Sequence, residues 1–141
     1  MQSENATKKG KPMAQVQEKV LSRTIKEITP FGVRIELNLE GQVSGDVYAA
    51  QHMETVSLFQ KTDGTFESEA RAIETTKEGD VLVISYKGMG KQTGATTLWG
   101  ESEGFIMTQS KRLAELNNST IGAEVNADYA TGVVQVKYYR M

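Results

Sequence analysis

The stretch KTDGTFESEARAIETTKEGDVLVISYKG (61–88) decides the fold, because it contains two tight turns with a strand of alternating polarity between them. Asp63-Gly64 is a dipeptide typical of a β-hairpin turn, and Glu78-Gly79-Asp80 predicts the next turn. Between the turns, one face of the strand is charged and the other is apolar or small. We therefore expect the second face to point to the core, and its members are Phe66, Ser68, Ala70 and Ala72.

The chain continues as strands on both sides of this stretch. GVRIELNLEG (32–41) alternates strictly between apolar and polar residues, which is typical of a half-buried strand. Residues 19–29 suit either an amphipathic helix or a strand, and we predict a strand because Pro30 follows and the next segment is extended. Further strands are predicted at 47–60, 96–108, 120–127 and 132–139, with a short helical turn near 111–117.

About eight strands with short sequential turns predict an all-β fold, a closed antiparallel barrel that is mostly an up-and-down meander. Closure is favoured because it removes exposed sheet edges. The interior of an eight-stranded barrel either fills with side chains or holds one small ligand. Residues 1–15 are polar and are predicted to form a disordered tail, and residues 16–141 are predicted to form a single barrel domain.

The composition excludes several classes of protein. The 141 residues include no cysteine and carry a net charge of −2, so a disulfide framework is excluded and a nucleic-acid partner is not expected. The longest apolar run, 81–84, is too short to span a membrane, and we expect a cytoplasmic protein without a membrane partner. One histidine excludes multi-histidine metal centres. No metal and no cofactor is indicated, although a carboxylate-rich site is compatible with the sequence.

Strand VLVISYKG (81–88) is apolar on both faces. In an antiparallel sheet, this pattern indicates that the outer face is also covered, by a helix or by a partner subunit. We therefore expect a homo-oligomer.

Strand 96–108 presents two alternatives for a site. One face carries Leu98, Gly100, Ser102, Gly104 and Ile106, and the other carries Trp99, Glu101, Glu103, Phe105 and Met107. If the small face is inward, the glycines relieve crowding and the glutamates are solvated. If the large face is inward, aromatic rings line a pocket that contains two carboxylates, whose pKa would be raised by burial. The first alternative is favoured, because charged residues are seldom buried without partners.

His52 and Glu54 share one face of their strand, and with one more carboxylate they could form an acid–base pair or bind a metal. A single histidine on a strand is more often structural. If the protein is an enzyme, the catalytic candidates are Glu101, Glu103 and His52. The candidates for lining a ligand pocket are Trp99, Phe105 and Tyr86.

Four segments taken together resemble small bacterial and archaeal proteins with an allene oxide cyclase-like barrel, many of them of unknown function. The segments are GQVSGDVYAA (41–50), TDGTFESEARAIETTKEGD (62–80), SYKGMGK (85–91) and LWGESEGFIMTQSKRLAELNN (98–118). The resemblance covers roughly residues 20–139. It implies a β-barrel fold, and the plant enzymes of that family cyclise an unsaturated fatty-acid epoxide inside the barrel.

We expect a barrel that binds a small apolar molecule in its interior. Two alternatives belong to other classes: an isomerase or cyclase that uses an interior carboxylate, and an oligomeric structural protein with a filled barrel. The interior distinguishes them, because an apolar cavity favours the first two and a carboxylate inside the cavity favours the second.

Overall fold

The computed structural model describes residues 10–141, which form eight antiparallel strands and one 3-10 turn. The elements are β1 (Ala14–Thr29), β2 (Gly32–Gly45), β3 (Ala50–Lys61), β4 (Thr65–Thr76), β5 (Val81–Gln92), β6 (Thr97–Thr108), the 3-10 turn (Ala114–Leu116), β7 (Ser119–Asp128) and β8 (Val133–Arg140). The predicted tail falls largely on residues 1–9, which lie outside the described residues. Its last two residues, 14 and 15, belong to β1.

The fold prediction is confirmed. Each strand pairs with the next along the chain, and β1 pairs with β8 to close an up-and-down barrel. The ambiguous segment 19–29 is a strand, and the helical turn predicted near 111–117 is the 3-10 turn. In the described part of the chain, no helix is long and apolar enough to span a lipid bilayer.

Both decisive turns form where the sequence places them. Gly64 has φ 88° and Gly79 has φ 95°, in the left-handed region that glycine adopts without a steric penalty. Asp63 fixes the first turn, because its Oδ1 accepts a hydrogen bond of 2.9 Å from the backbone N–H of Thr65.

The interior accommodates large side chains because small residues lie beside them. Tyr86 pairs with Gly104 in the β5–β6 ladder, and a Cβ on Gly104 would lie 2.5 Å from the Cα of Tyr86. Ala70 and Ala72 on β4 are buried against the same core, as the alternation of 65–75 predicts. One core cluster therefore occupies most of the barrel interior.

The two ends of the barrel are closed differently. The 3-10 turn covers one end, where Leu113 and Leu116 are buried in the core. The other end, which we call the mouth, carries the turns at 30–31, 62–64, 93–96 and 129–132. A separate cluster of Leu58, Phe66 and Leu98 lies beneath the mouth. A hydrogen bond from Gln60 on β3 to the hydroxyl of Tyr129 crosses the barrel there.

Candidate functional site

Four residues of the candidate site lie in one row across neighbouring strands. Glu18 on β1 pairs with Gly41 on β2, Gly41 pairs with His52 on β3, and His52 pairs with Glu74 on β4. All three side chains of the row point into the barrel and are at most 3 % exposed. Because Gly41 has no side chain, Glu18 and His52 meet across an entire strand.

His52 lies among three carboxyl groups. Its Nδ1 is 2.6 Å from Oε2 of Glu74, and its Nε2 is 2.9 Å from Oε1 of Glu54. The same Nε2 lies 3.2 Å from Oε1 of Glu18. The ring is therefore held from both sides, and its orientation is fixed by charged partners.

Three tyrosine hydroxyls complete the cluster. Tyr48 donates a hydrogen bond of 2.5 Å to Oε1 of Glu74, and Tyr138 donates one of 3.1 Å to Oε2 of the same residue. Tyr86 donates one of 2.6 Å to Oε2 of Glu54. Burial and the nearby carboxylates raise the pKa of all three hydroxyls, so they act as donors at neutral pH. We call these seven residues the interior cluster: Glu18, Tyr48, His52, Glu54, Glu74, Tyr86 and Tyr138.

His52 is the cation of the interior cluster. Burial alone would lower the pKa of its imidazole, but the adjacent carboxyl groups of Glu18, Glu54 and Glu74 outweigh burial and raise the pKa to about 12. A charged imidazole donates from both ring nitrogens, which suits carboxylate oxygens on either side.

Glu18 and Glu54 are adjacent buried carboxyl groups whose pKa values are shifted in opposite directions. Burial raises the pKa of Glu18 to about 8; the nearby imidazole of His52 opposes this, and the charge of Glu54 adds to it. Burial would also raise the pKa of Glu54, but the adjacent His52 and Glu18 lower it overall. Two adjacent carboxyls with opposite shifts are a typical arrangement for an acid and a base.

Glu18 has an oxygen with no well-formed hydrogen bond. Its Oε1 is buried and, among the described residues, has no partner of correct hydrogen-bond geometry, although Nε2 of His52 is 3.2 Å away. An unsatisfied buried polar atom destabilises a fold by about 1–3 kcal/mol. A ligand or an ordered water molecule in the adjacent space can supply the missing partner.

The unsatisfied oxygen belongs to the wall of a cavity of about 70 Å³ that extends towards the mouth. Glu18, Glu54 and Tyr86 form its polar floor, and Phe66 and Leu58 contribute to its apolar upper part. Since pockets for drug-sized ligands occupy roughly 300–1,000 Å³, this space suits a few water molecules or a small apolar group. A larger ligand requires movement of the cluster under the mouth.

The floor also offers ligands of the type a divalent cation accepts. Glu18, His52 and Glu54 each present one donor atom, and these atoms lie within 4.8 Å of one another. The attraction between a charged imidazole and two carboxyls accounts for the same short distances. A test of the site therefore needs a chelator control.

The predicted site residues separate into two groups. His52 and Tyr86 lie inside the barrel and belong to the interior cluster. The small face of β6 is the inward one, since Ser102 and Ile106 are buried and Gly100 lines the cavity. The four predicted residues on the opposite face of β6 lie on the outer surface, away from the cavity: Trp99, Glu101, Glu103 and Phe105.

The outer face of β6 has its own contacts. Nε1 of Trp99 donates a hydrogen bond of 3.2 Å to Glu124, and Phe105 is 45 % exposed. Strand 96–108 therefore does not form the second alternative, which was an aromatic pocket around two carboxylates. The carboxylates inside the barrel come from β1, β3 and β4.

Four members of the interior cluster were not candidates from the sequence: Glu18, Tyr48, Glu74 and Tyr138. The alternation of 65–75 already contained a signal for Glu74, because it continues the even-numbered core face of Phe66 to Ala72. Tyr48 shares the face of His52 and Glu54 in the same way. Glu18 continues the alternation of Ala14 and Val16, which is visible only if β1 is extended into the predicted tail.

Comparison with known proteins supports the fold. No protein-family model matches the chain, and no curated protein matches it. A protein of unknown function from Clostridium acetobutylicum superposes with a TM-score of 0.81 at 16% identity, covering 92% of this chain and 94% of that one. One from Rhodopseudomonas palustris, also of unknown function, superposes at 0.78 and 13% identity, covering 92% and 95%.

An enzyme from Penicillium herquei superposes with a TM-score of 0.61 at 14% identity, covering 92% of this chain and 95% of that one. At these identities the shared property is the barrel fold. The chain thus has the architecture of β-barrel proteins of unknown function, and its chemistry has to be argued from its own residues.

Proposed function

We propose that this barrel is an isomerase or cyclase for a small, largely apolar molecule that carries an epoxide or carbonyl oxygen. In this proposal the carboxyl of Glu18 donates a proton to the substrate oxygen, and the carboxylate of Glu54 accepts a proton from carbon. The observation that carries the proposal is the unsatisfied oxygen of Glu18 in the floor of an apolar cavity.

The proton balance closes within the cluster. As Glu18 gives its proton to the substrate oxygen, the C–O bond of an epoxide opens or a carbonyl becomes an enol. Glu54 takes the proton lost from carbon, and an epoxide thereby becomes an allylic alcohol. With an enone, Glu54 returns a proton to a different carbon of the dienol while Glu18 recovers its proton from the hydroxyl. In both cases the product is an isomer of the substrate and no oxidant or reductant is consumed. The Glu18 and Glu54 donor atoms lie within 4.8 Å of each other, so the proton can return to Glu18.

The remaining cluster residues prepare the pair for this exchange. His52 stabilises the carboxylate that Glu18 becomes, because Nε2 lies 3.2 Å from Oε1. Tyr86 holds Glu54 through its 2.6 Å hydrogen bond and so fixes the acceptor at the cavity floor. Glu74, Tyr48 and Tyr138 hold His52 from the opposite side and have a positioning role.

The apolar upper wall supports the choice of substrate. Leu37, Leu39, Val56 and Leu58 offer no hydrogen-bonding side chains, so a hydrocarbon portion is favoured there and water is disfavoured. The sequence resemblance to allene oxide cyclase-like barrels agrees with a reaction of this class, as an analogy.

A binding protein without catalysis is the second candidate. It is favoured by a different observation: both oxygens of Glu54 already have partners in Tyr86 and His52. Under this proposal the interior cluster is a rigid floor, and the apolar wall alone retains the ligand.

Deuterium incorporation separates the two candidates. The protein is incubated in D₂O with a panel of short unsaturated epoxides and enones, and each compound is analysed for isomerisation and mass increase. With enones we expect carbon-bound deuterium in the isomerised product of the wild-type protein, and with epoxides we expect the isomer itself. Glu18→Gln should give no turnover, and Glu103→Gln on the outer face should leave turnover unchanged. EDTA treatment should leave the rate unchanged. Bound but unaltered compounds across the panel would support the binding protein, and rate loss in EDTA would point to a metal.

A further inference from the structure

The outer surface of the barrel carries a row of apolar side chains in direct register. Met53 on β3 pairs with Ile73 on β4, Ile73 pairs with Val83 on β5, and Val83 pairs with Met107 on β6. These four side chains are between 42% and 57% exposed. Phe105 and Val81, adjacent to the row, are exposed to a similar extent. Within residues 10–141, no helix or loop covers this band.

A continuous apolar band across four strands differs from scattered exposed hydrophobic residues. It is the sort of surface that marks an interface with another protein. We propose that it is the interface of a homodimer in which β4 and β5 of one chain pack against β5 and β4 of the second, around a two-fold axis parallel to the strands. This proposal concerns a surface outside the interior cluster and does not depend on the proposed function.

The charges beside the row favour a second copy as the occupant. Towards the mouth, the outward positions two rows away from the apolar row are Ser57, Glu69, Lys87 and Glu103, in that order from β3 to β6. A two-fold axis that runs between β4 and β5, parallel to them, places each row opposite the same row of the second copy. The order of the strands is reversed between the two copies. Glu69 then faces Lys87 of the second copy, and Lys87 faces its Glu69. Each Glu103 faces Ser57, so no like charges are directly opposed.

The same operation pairs the apolar positions. Ile73 of one chain faces Val83 of the other, and Met53 faces Met107. The wall of the closed barrel curves away on both sides of β4 and β5, so Ile73 and Val83 make the central contact and Met53 and Met107 flank it. The interface is self-complementary, as a two-fold interface must be.

The alternative two-fold axis, which runs along the row, fits less well. This axis would place Glu69 opposite Lys77 of the second copy, which lies beyond the end of β4. It would place Lys87 opposite the turn of the second copy that precedes β5. With the axis parallel to the strands, the two symmetry-related Glu69–Lys87 pairs both form between β4 of one copy and β5 of the other. It is therefore the axis that matches both shape and charge.

The first test is the molecular mass of the protein in solution. Light scattering coupled to gel filtration should give twice the chain mass of 15.5 kDa. Val83→Glu should give a monomer with the circular dichroism spectrum of the wild type, because this side chain points outwards. The matched control is Ile25→Glu on β1, a residue that is 66% exposed and lies outside the row. It should remain dimeric. A wild-type monomer, or a dimer that is lost in Ile25→Glu and kept in Val83→Glu, would overturn the proposal.

The charge pairs give a second test that also controls for folding. Glu69→Lys and Lys87→Glu should each weaken self-association by about tenfold or more, since each opposes like charges at both symmetry-related positions. Mixed in equal amounts, the two variants should form a heterodimer, because the lysine introduced in one then faces the glutamate introduced in the other. The variant that combines both changes should dimerise like the wild type. Failure of the mixture to associate would exclude this geometry.

Discussion

Oε1 of Glu18 lies 3.2 Å from Nε2 of His52, although the two residues sit on β1 and β3 and an entire strand separates them. The residue between them in the row is Gly41. A Cβ at this position would lie 2.5 Å from the Cα of Glu18 and 2.1 Å from the carbonyl oxygen of Gln17. The interior cluster therefore depends on a position where β2 has no side chain.

Gly41→Ala tests this dependence. The new methyl group would contact backbone atoms of β1, which cannot rotate away, so the strand must shift. We expect a loss of about 1–3 kcal/mol in the free energy of unfolding, measured by urea denaturation. Gly122→Ala is the control, because its Cβ would meet the flexible side chain of Met141 at 3.2 Å. Equal losses in the two variants would contradict the special role of Gly41.

His52→Gln removes the cation from among three buried carboxyls. Taking away one partner of a buried ionic group leaves uncompensated charge, and we expect about 3–5 kcal/mol of destabilisation. The control is Arg34→Gln, which removes a half-exposed cation 3.8 Å from Glu27 and should change the stability by less than about 1 kcal/mol. Thermal and urea unfolding measure both changes. Similar small losses in both would show that the buried imidazole is not the charged centre of the cluster.

Stability should fall as the pH rises through the range in which Glu18 titrates. Its pKa is raised from 4.5 to about 8, so the folded protein binds an extra proton between these values. The contribution of Glu18 is complete below pH 4.5 and is lost as the pH rises through about 8. His52 acts in the same direction above pH 6.5, because its pKa is also raised. The other titratable groups facing this pair are Glu54, Glu74, Tyr48, Tyr86 and Tyr138.

Unfolding temperatures measured from about pH 5 to about pH 8.5 follow this dependence. Glu18→Gln should flatten the decline, since the amide does not titrate, whereas Glu115→Gln at the exposed 3-10 turn should follow the wild type. If the wild-type protein became more stable over this range, Glu18 would not be protonated in the fold.

The fold was predictable because each signal for it is local. Asp63-Gly64 and Glu78-Gly79-Asp80 specify turns by their own chemistry, and the alternation of Val33 to Leu39 specifies a strand without reference to its neighbours. Turns this short make consecutive strands antiparallel neighbours. Eight such strands can close into a barrel, which leaves no exposed sheet edge.

The interior cluster was predictable only in part, because it depends on register. The i, i+2 spacing brings His52 and Glu54 to one face, and this much is visible in the sequence. Glu18 reaches His52 only because the register of β1, β2 and β3 places Gly41, which has no side chain, between them. Burial statistics also place glutamate outside, so alternation alone is a weak signal that Glu18 and Glu74 are interior and that Glu101 and Glu103 are not.

Phe66 lines the upper part of the cavity beneath the mouth, and its removal should change both stability and access. It is 6% exposed and packs with Leu58 and Leu98 above the apolar wall. We expect Phe66→Ala to lower the free energy of unfolding by about 3–5 kcal/mol, and to admit apolar probes faster and more tightly than the wild type. Stopped-flow binding of a solvatochromic dye measures entry.

Phe59→Ala, which removes a ring stacked on Arg34 at 5.1 Å on the outer face, is the control and should leave entry unchanged. If both variants bind the dye like the wild type, ligands do not enter past Phe66, and the route into the barrel lies elsewhere.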